Sequence, residues 1–191
     1  MPYSQFGEEE VILANTPSHG RVLEIGAWSP TVFSNSRALI ERGWNAVLVE
    51  PSPAPFAGLV KFYKDNERVT LVNALAGKEW RMRKFMVTED ALSTTEQANV
   101  EKWGGAKNFR EILIPEMPVL QLFDGKPFEF VTIDTEGTSF ELLKMLPLDQ
   151  MGTNLFCVEF DHQRDAVCEF VASKRFQVIL ENGANIIAKR I

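Results

Sequence analysis

Short apolar runs of strand length alternate along this chain with segments whose hydrophobic residues recur at helical spacing. A helix is predicted over residues 4–15, with Ser4 as N-cap and Phe6, Val11, Ile12 and Leu13 near one side. The run "RVLEI" at 21–25 is followed by a helical pattern over 31–42 that stops at Gly43, a residue suited to a left-handed helix end. "NAVLVE" at 45–50 is a second strand, 53–63 another helix, and "RVTLVNALAG" at 68–77 a third strand. "FEFVTIDTEG" at 128–137 reads as a fourth strand, 138–146 as a helix stopped near Pro147, "NLFCVEFD" at 154–161 as a fifth strand and 164–174 as a further helix. Two strand-like runs around Asn182-Gly183 predict a closing hairpin. Strands that are apolar on both faces and alternate with helices imply a parallel sheet covered on either side.

The middle of the chain is less regular. "RMRKFMV" at 81–87 predicts a short extra strand, whereas residues 91–116 show little periodicity and contain the pair Gly104-Gly105. That segment is expected to be an irregular loop region on the substrate side. At 191 residues the chain suits one domain, spanning 1–191.

Charge and cysteine content narrow the partners. Twenty basic against twenty-six acidic residues give a net charge of -6, which opposes binding to phosphate backbones, so no nucleic-acid partner is expected. Cys157 and Cys168 lack metal-ligand spacing and read as thiols in a reducing compartment. The N-terminus has no secretory pattern and no run is long enough to span a bilayer, so a cytoplasmic location without membrane contact is expected. No signal for oligomeric state is present.

Carboxylates recur at the strand ends: Glu24, Glu50, Asp134 with Glu136, and Glu159 with Asp161. In an open parallel sheet such positions are expected to converge on the rim where ligands bind. Glu50, at the end of the second strand, can accept hydrogen bonds from both hydroxyls of a ribose. The turn after Glu24 has Gly26 but lacks the further glycines that let a pyrophosphate approach the backbone. This disfavours a dinucleotide and suits a nucleoside with an amino-acid tail, S-adenosylmethionine.

The stretches "YSQFGEE", "VLEIGAW", "VLVEPSP", "LVNALAG", "FVTIDTEGTSFELL" and "FCVEFD" resemble, in order and approximate spacing, the FkbM-like family of class I S-adenosylmethionine-dependent methyltransferases. The resemblance runs from Tyr3 to Asp161, and the late "NGANIIAKR" is similar to the family's closing strand. It implies a Rossmann-like three-layer α/β/α sandwich with a mostly parallel seven-stranded sheet and an antiparallel C-terminal hairpin. It implies O-methylation of a hydroxyl on a sugar or other small metabolite. Gly26 and Ala27 would lie against the cofactor's methionine end with Glu24 near its ammonium; Glu50 would hold the ribose, and Pro51 and Ser52 would shape the adenine side. Asn73 and Ala74 would neighbour the adenine, and Gln5 could reach the cofactor from the N-terminal helix. Asp134 and Glu136 would lie where the methyl group sits.

Asp134 is the first candidate for general base, with Glu159 and His162 next. No complete metal-ligand set is visible, so no metal is expected, although acids this close could recruit a divalent cation. The sequence departs from the family pattern at Trp28 and Pro30, which stand where an asparagine and a second glycine are usual. Trp28 could wall the cofactor pocket or plug the core. Two other classes remain: a binding protein that keeps the fold without catalysis, and a nucleotide-dependent oxidoreductase, which the missing glycines disfavour.

Overall fold

The computed structural model describes residues 2–88, 91–106 and 108–191. Helix α1 (Glu8–Asn15) precedes strand β1 (Arg21–Ile25), followed by α2 (Arg37–Glu41), β2 (Asn45–Val49), α3 (Pro53–Tyr63) and β3 (Val69–Val72). Next come β4 (Leu75–Gly77), β5 (Arg81–Val87), α4 (Gln97–Trp103) and β6 (Arg110–Pro118). After a short 3-10 turn the chain forms β7 (Phe130–Ile133), α5 (Ser139–Met145), β8 (Leu155–Glu159), α6 (Arg164–Ser173), β9 (Phe176–Glu181) and β10 (Asn185–Arg190).

Seven strands form one sheet in the order β3-β2-β1-β7-β8-β10-β9. Pairing is parallel from β3 through β8, and β10 runs antiparallel to both β8 and β9. The order reverses beside β1, where chain connections leave in opposite directions and open a crevice beyond the strand ends. The core lies on both faces, as strands apolar on both sides require. Leu23, Ile25, Val131 and Ile133 pack with Leu142 and Leu143 of α5 and Val167 and Val171 of α6. On the other face Val22, Ala46, Leu48 and Phe130 meet Ile12 of α1, Leu39 and Ile40 of α2, and Leu59 of α3. This is the expected three-layer α/β/α sandwich with its C-terminal hairpin. Among the described residues no helix is long and apolar enough to cross a membrane.

Several local expectations are corrected. Helix α1 starts at Glu8 after Gly7 rather than at Ser4, whose hydroxyl instead accepts from the Glu9 N–H at 3.0 Å. The helix expected over 31–42 is reduced to Arg37–Glu41, because Phe33 adopts a left-handed φ of 59° that ends any continuous helix through it. The third strand splits: Asn73 donates to the carbonyls of Glu50 and Pro51 at 2.8 and 3.2 Å, and the chain then leaves the main sheet to form β4.

The segment 91–116 is not an irregular loop. It contains α4 and most of β6, and β6 joins β4 and β5 in a second, three-stranded sheet; Lys107 within the segment lies outside the described residues. β6 escapes a reading by alternation because its inward face carries Ile112, Ile114 and then an acid, Glu116. Arg81 and Arg83 of β5 cover that acid, which is 1% exposed, with guanidinium contacts of 3.1 to 3.2 Å. These hydrogen bonds hold its carboxyl below the usual range, against the opposing effect of burial.

Candidate active site

A cavity of about 400 Å³ opens beyond the C-terminal ends of β1, β2, β7 and β8. That volume lies within the range of small-molecule sites. Its cofactor-side wall starts with the turn after β1. Gly26 and Ala27 both donate their N–H to the Val49 carbonyl, at 2.9 and 3.1 Å, so the turn folds over the end of β2. The Trp28 N–H then donates to Glu50 Oε2 at 2.9 Å, and the Ser52 N–H to Glu50 Oε1 at 2.6 Å. One buried carboxylate thus ties two loops together, and burial raises its pKa against the lowering effect of those N–H groups.

The other wall is acidic. Asp134, Glu136, Glu159 and Asp161 all line the cavity. One carboxylate oxygen from each of the first three lies within 4.8 Å of the others. Burial, then repulsion from Asp134, Asp161 and Glu136, raises Glu159 strongly. Asp134 is reached by water inside the cavity yet ringed by protein, and this crowding raises it too, while a hydrogen bond from Glu159 lowers it. Burial and the surrounding carboxylates thus push both groups toward the protonated form.

Of the expected site residues, the structure brings together at this cavity Gln5, Gly26, Ala27, Trp28, Glu50, Pro51, Ser52, Ala74, Asp134, Glu136 and Glu159. Glu24, Asn73 and His162 are not among its lining residues. Glu24 lies one residue before the end of β1, so the two-residue side-chain period turns it onto the face covered by α2. There its carboxylate accepts from the Asn35 N–H at 3.2 Å and the Ser36 hydroxyl at 2.5 Å. Burial pushes its pKa up to about 7, opposed by those donors. Asn73 is used as the loop clip described above, and His162 is exposed.

Gly26 also has a structural duty. At its φ of 92° a Cβ would overlap the Asp134 carbonyl oxygen, so glycine is demanded by the junction of β1 and β7.

Sequence reasoning missed the apolar and supporting parts of the site. Phe6, Val32, Phe33, Lys102 and Trp103 line the cavity, and Trp28 stacks on Phe33 with ring centroids 5.9 Å apart. Asn99 and Thr94 donate to the Glu136 carbonyl at 2.6 and 2.8 Å, holding that acid in its left-handed conformation, φ 53°. Among the described residues five non-glycine residues have positive φ, and four of them, Trp28, Phe33, Glu136 and Asp161, line this cavity. Strain of that kind persists where surrounding contacts over-determine the backbone, commonly at functional sites. The only sequence signal for Trp103 was its place before Gly104-Gly105, which carries no spacing rule.

Neither a family model nor a curated protein matches this chain. Solved structures do. A methyltransferase FkbM from Methylobacillus flagellatus KT superposes with a TM-score of 0.61 at 13% identity, over 90% of this chain and 44% of that one. The chain has the class I methyltransferase fold. A chain of a fibrillarin/Nop5p complex matches with a TM-score of 0.52 at 14% identity, over 95% of this chain and 79% of that one. TrmK from M. capricolum, in complex with S-adenosyl-homocysteine, gives 0.52 at 11% identity, over 99% and 70%. The chain spans less than half the length of the Methylobacillus protein. At these identities the likeness carries the fold alone.

Proposed function

We propose that this chain is an S-adenosylmethionine-dependent methyltransferase acting on a hydroxyl of a sugar or other small metabolite. The observation that carries the reading is one cavity at the strand ends with Glu50 on one wall and the Asp134–Glu159 pair on the other. The donor chemistry fits the cofactor. Glu50 accepts one backbone N–H on each oxygen, which leaves lone pairs for ribose hydroxyls. Gly26, Ala27 and Trp28 line the cavity beside it, with no run of glycines for a pyrophosphate.

Bound there, S-adenosylmethionine supplies an electrophilic methyl group. The residues of this chain supply alignment and proton handling. Asp134 presents a carboxylate to the cavity and accepts a proton from the acceptor hydroxyl, while Glu159 stabilises the ionised Asp134 by donating to it.

Calorimetric titration with S-adenosylmethionine and S-adenosylhomocysteine, with NAD as control and a Glu50→Ala variant alongside, tests the reading. Saturable binding of the first two, lost in the variant, is the expected result. Binding of NAD alone would favour the oxidoreductase, and cofactor binding without turnover over a broad acceptor panel would favour a catalytically silent binding protein. No binding by folded protein would overturn the methyltransferase reading.

A further inference from the structure

The segment after β1 carries two aromatic rings that lie outside the core. Trp28 stacks on Phe33 with ring centroids 5.9 Å apart and an interplanar angle of 23°, and both residues line the cavity. Among the described residues, neither belongs to the hydrophobic clusters that fill the fold, and Phe33 is 49% exposed. Both hold left-handed backbone conformations, φ 31° and 59°, which bulky side chains rarely adopt. A ring that plugged the core would be buried there without such strain, so these two form a wall of the cavity.

Hydrogen bonds along the loop fix the rings in place. The Trp28 N–H donates to Glu50 Oε2 at 2.9 Å, the Val32 N–H to the Ser29 hydroxyl at 3.2 Å, and the Asn35 N–H and Ser36 hydroxyl close the loop on Glu24. Trp28 thus directly follows Gly26 and Ala27, the residues at the methionine end of the proposed cofactor, and is bonded to the acid at its ribose. In S-adenosylmethionine the atom that joins ribose to methionine is the sulfonium sulfur, which carries a permanent positive charge. A cation within about 6 Å of an aromatic face is attracted by the ring quadrupole, whereas a neutral thioether gains no such attraction.

Resting on the methyltransferase reading above, we propose that the Trp28–Phe33 pair recognises the sulfonium of the cofactor, so that the site prefers S-adenosylmethionine to S-adenosylhomocysteine. When the methyl carbon passes to the acceptor oxygen, the electron pair of its bond to sulfur stays on sulfur and the charge is lost. The attraction ends with it, which favours exchange of the spent product for fresh cofactor. Carboxylates of the cavity favour the same charge, so the contribution of the rings is read from variants that leave every carboxylate in place.

Calorimetric titration of the full chain with S-adenosylmethionine, S-adenosylhomocysteine and sinefungin, an analogue with an amine-bearing carbon in place of the methylated sulfur, tests this. Wild type is expected to bind the two charged ligands about tenfold tighter than S-adenosylhomocysteine. In Trp28→Leu, which keeps an apolar side chain, both charged ligands are expected to weaken about tenfold while S-adenosylhomocysteine stays within about twofold. Trp28→Phe, which keeps a ring, is expected to retain most of the preference. Phe33→Leu, at a half-exposed position, is expected to lose part of it and supplies the reading should thermal unfolding show that Trp28→Leu does not fold. Equal affinities in wild type, tighter binding of S-adenosylhomocysteine, or a preference that both leucine variants leave unchanged would each overturn the proposal and leave the methyltransferase reading standing. Failure of all three ligands to bind folded wild-type protein would overturn that reading and the proposal together.

Discussion

The carbonyl oxygen of Asp134 occupies the space that a Cβ on Gly26 would need. Residues at the ends of β1 and β7 approach this closely because the Asp134 N–H donates to the Ile25 carbonyl at 2.9 Å, locking the two strands together just before the cavity. Gly26→Ala is therefore expected to be a folding lesion, combining a backbone clash with a φ that L-residues rarely adopt. A loss of more than about 3 kcal/mol is expected. Denaturant unfolding followed by circular dichroism checks it; a variant of native stability that only fails to bind cofactor would show that the turn yields.

Glu50 joins two loops through one carboxylate. In Glu50→Gln one of the two N–H groups, of Trp28 or Ser52, faces an amide NH2 instead of an oxygen. A destabilisation of about 1 to 3 kcal/mol is expected. Affinity for S-adenosylhomocysteine is expected to fall more than about tenfold. Parallel thermal unfolding and calorimetry separate the two effects, and unchanged affinity would remove Glu50 from the cofactor site.

Glu24 gives a pH dependence with a definite sign. Its folded pKa of about 7 lies above the usual value of 4.5, so between those pH values the folded state holds a proton that the unfolded state has released. Stability conferred at low pH is lost as pH rises from 4.5 through about 7, by an amount on the order of 3 kcal/mol. The difference in unfolding free energy between wild type and Glu24→Gln, measured from pH 4 to 8, should shift toward the variant as pH rises. A difference that stays flat would show that Glu24 titrates normally.

Glu8 is expected to behave in the opposite way. It is fully buried and accepts from the Phe6 N–H at 2.7 Å and from the Asn182 and Asn185 amides at 2.8 and 2.9 Å, fastening α1 to the C-terminal hairpin. Burial alone would raise its pKa, but these donors outweigh it and the net direction is downward. Its contribution is present above pH 4.5 and lost as pH falls through the lower folded value. In Glu8→Gln that acid-side loss should disappear, with faster hydrogen exchange in residues 2–7 and in β9 and β10. Wild-type exchange there would overturn the role.

Strand and helix order in the main sheet, the closing hairpin and Glu50 at the rim were legible because each depends on local pattern: apolar runs, a helix stop at Gly43, and an acid one residue beyond a strand. Glu24 and Glu50 look alike in sequence, yet Glu24 is still inside its strand and the two-residue period sends it under α2, whereas Glu50 has left the sheet and faces the cavity. Likewise β6 was hidden because its inward acid, Glu116, makes sense only beside Arg81 and Arg83, about thirty-five residues away.

The sequence by itself determined the layered α/β class and the rim where a ligand belongs, since both follow from hydrophobic periodicity along neighbouring residues. Tertiary structure alone decided which acids crowd one another, that Asn99 and Thr94 hold Glu136, and that Phe6 and Phe33 line the same cavity. Those relationships join residues far apart in the chain. Burial, repulsion and backbone strain at the site arise only when the fold brings them together.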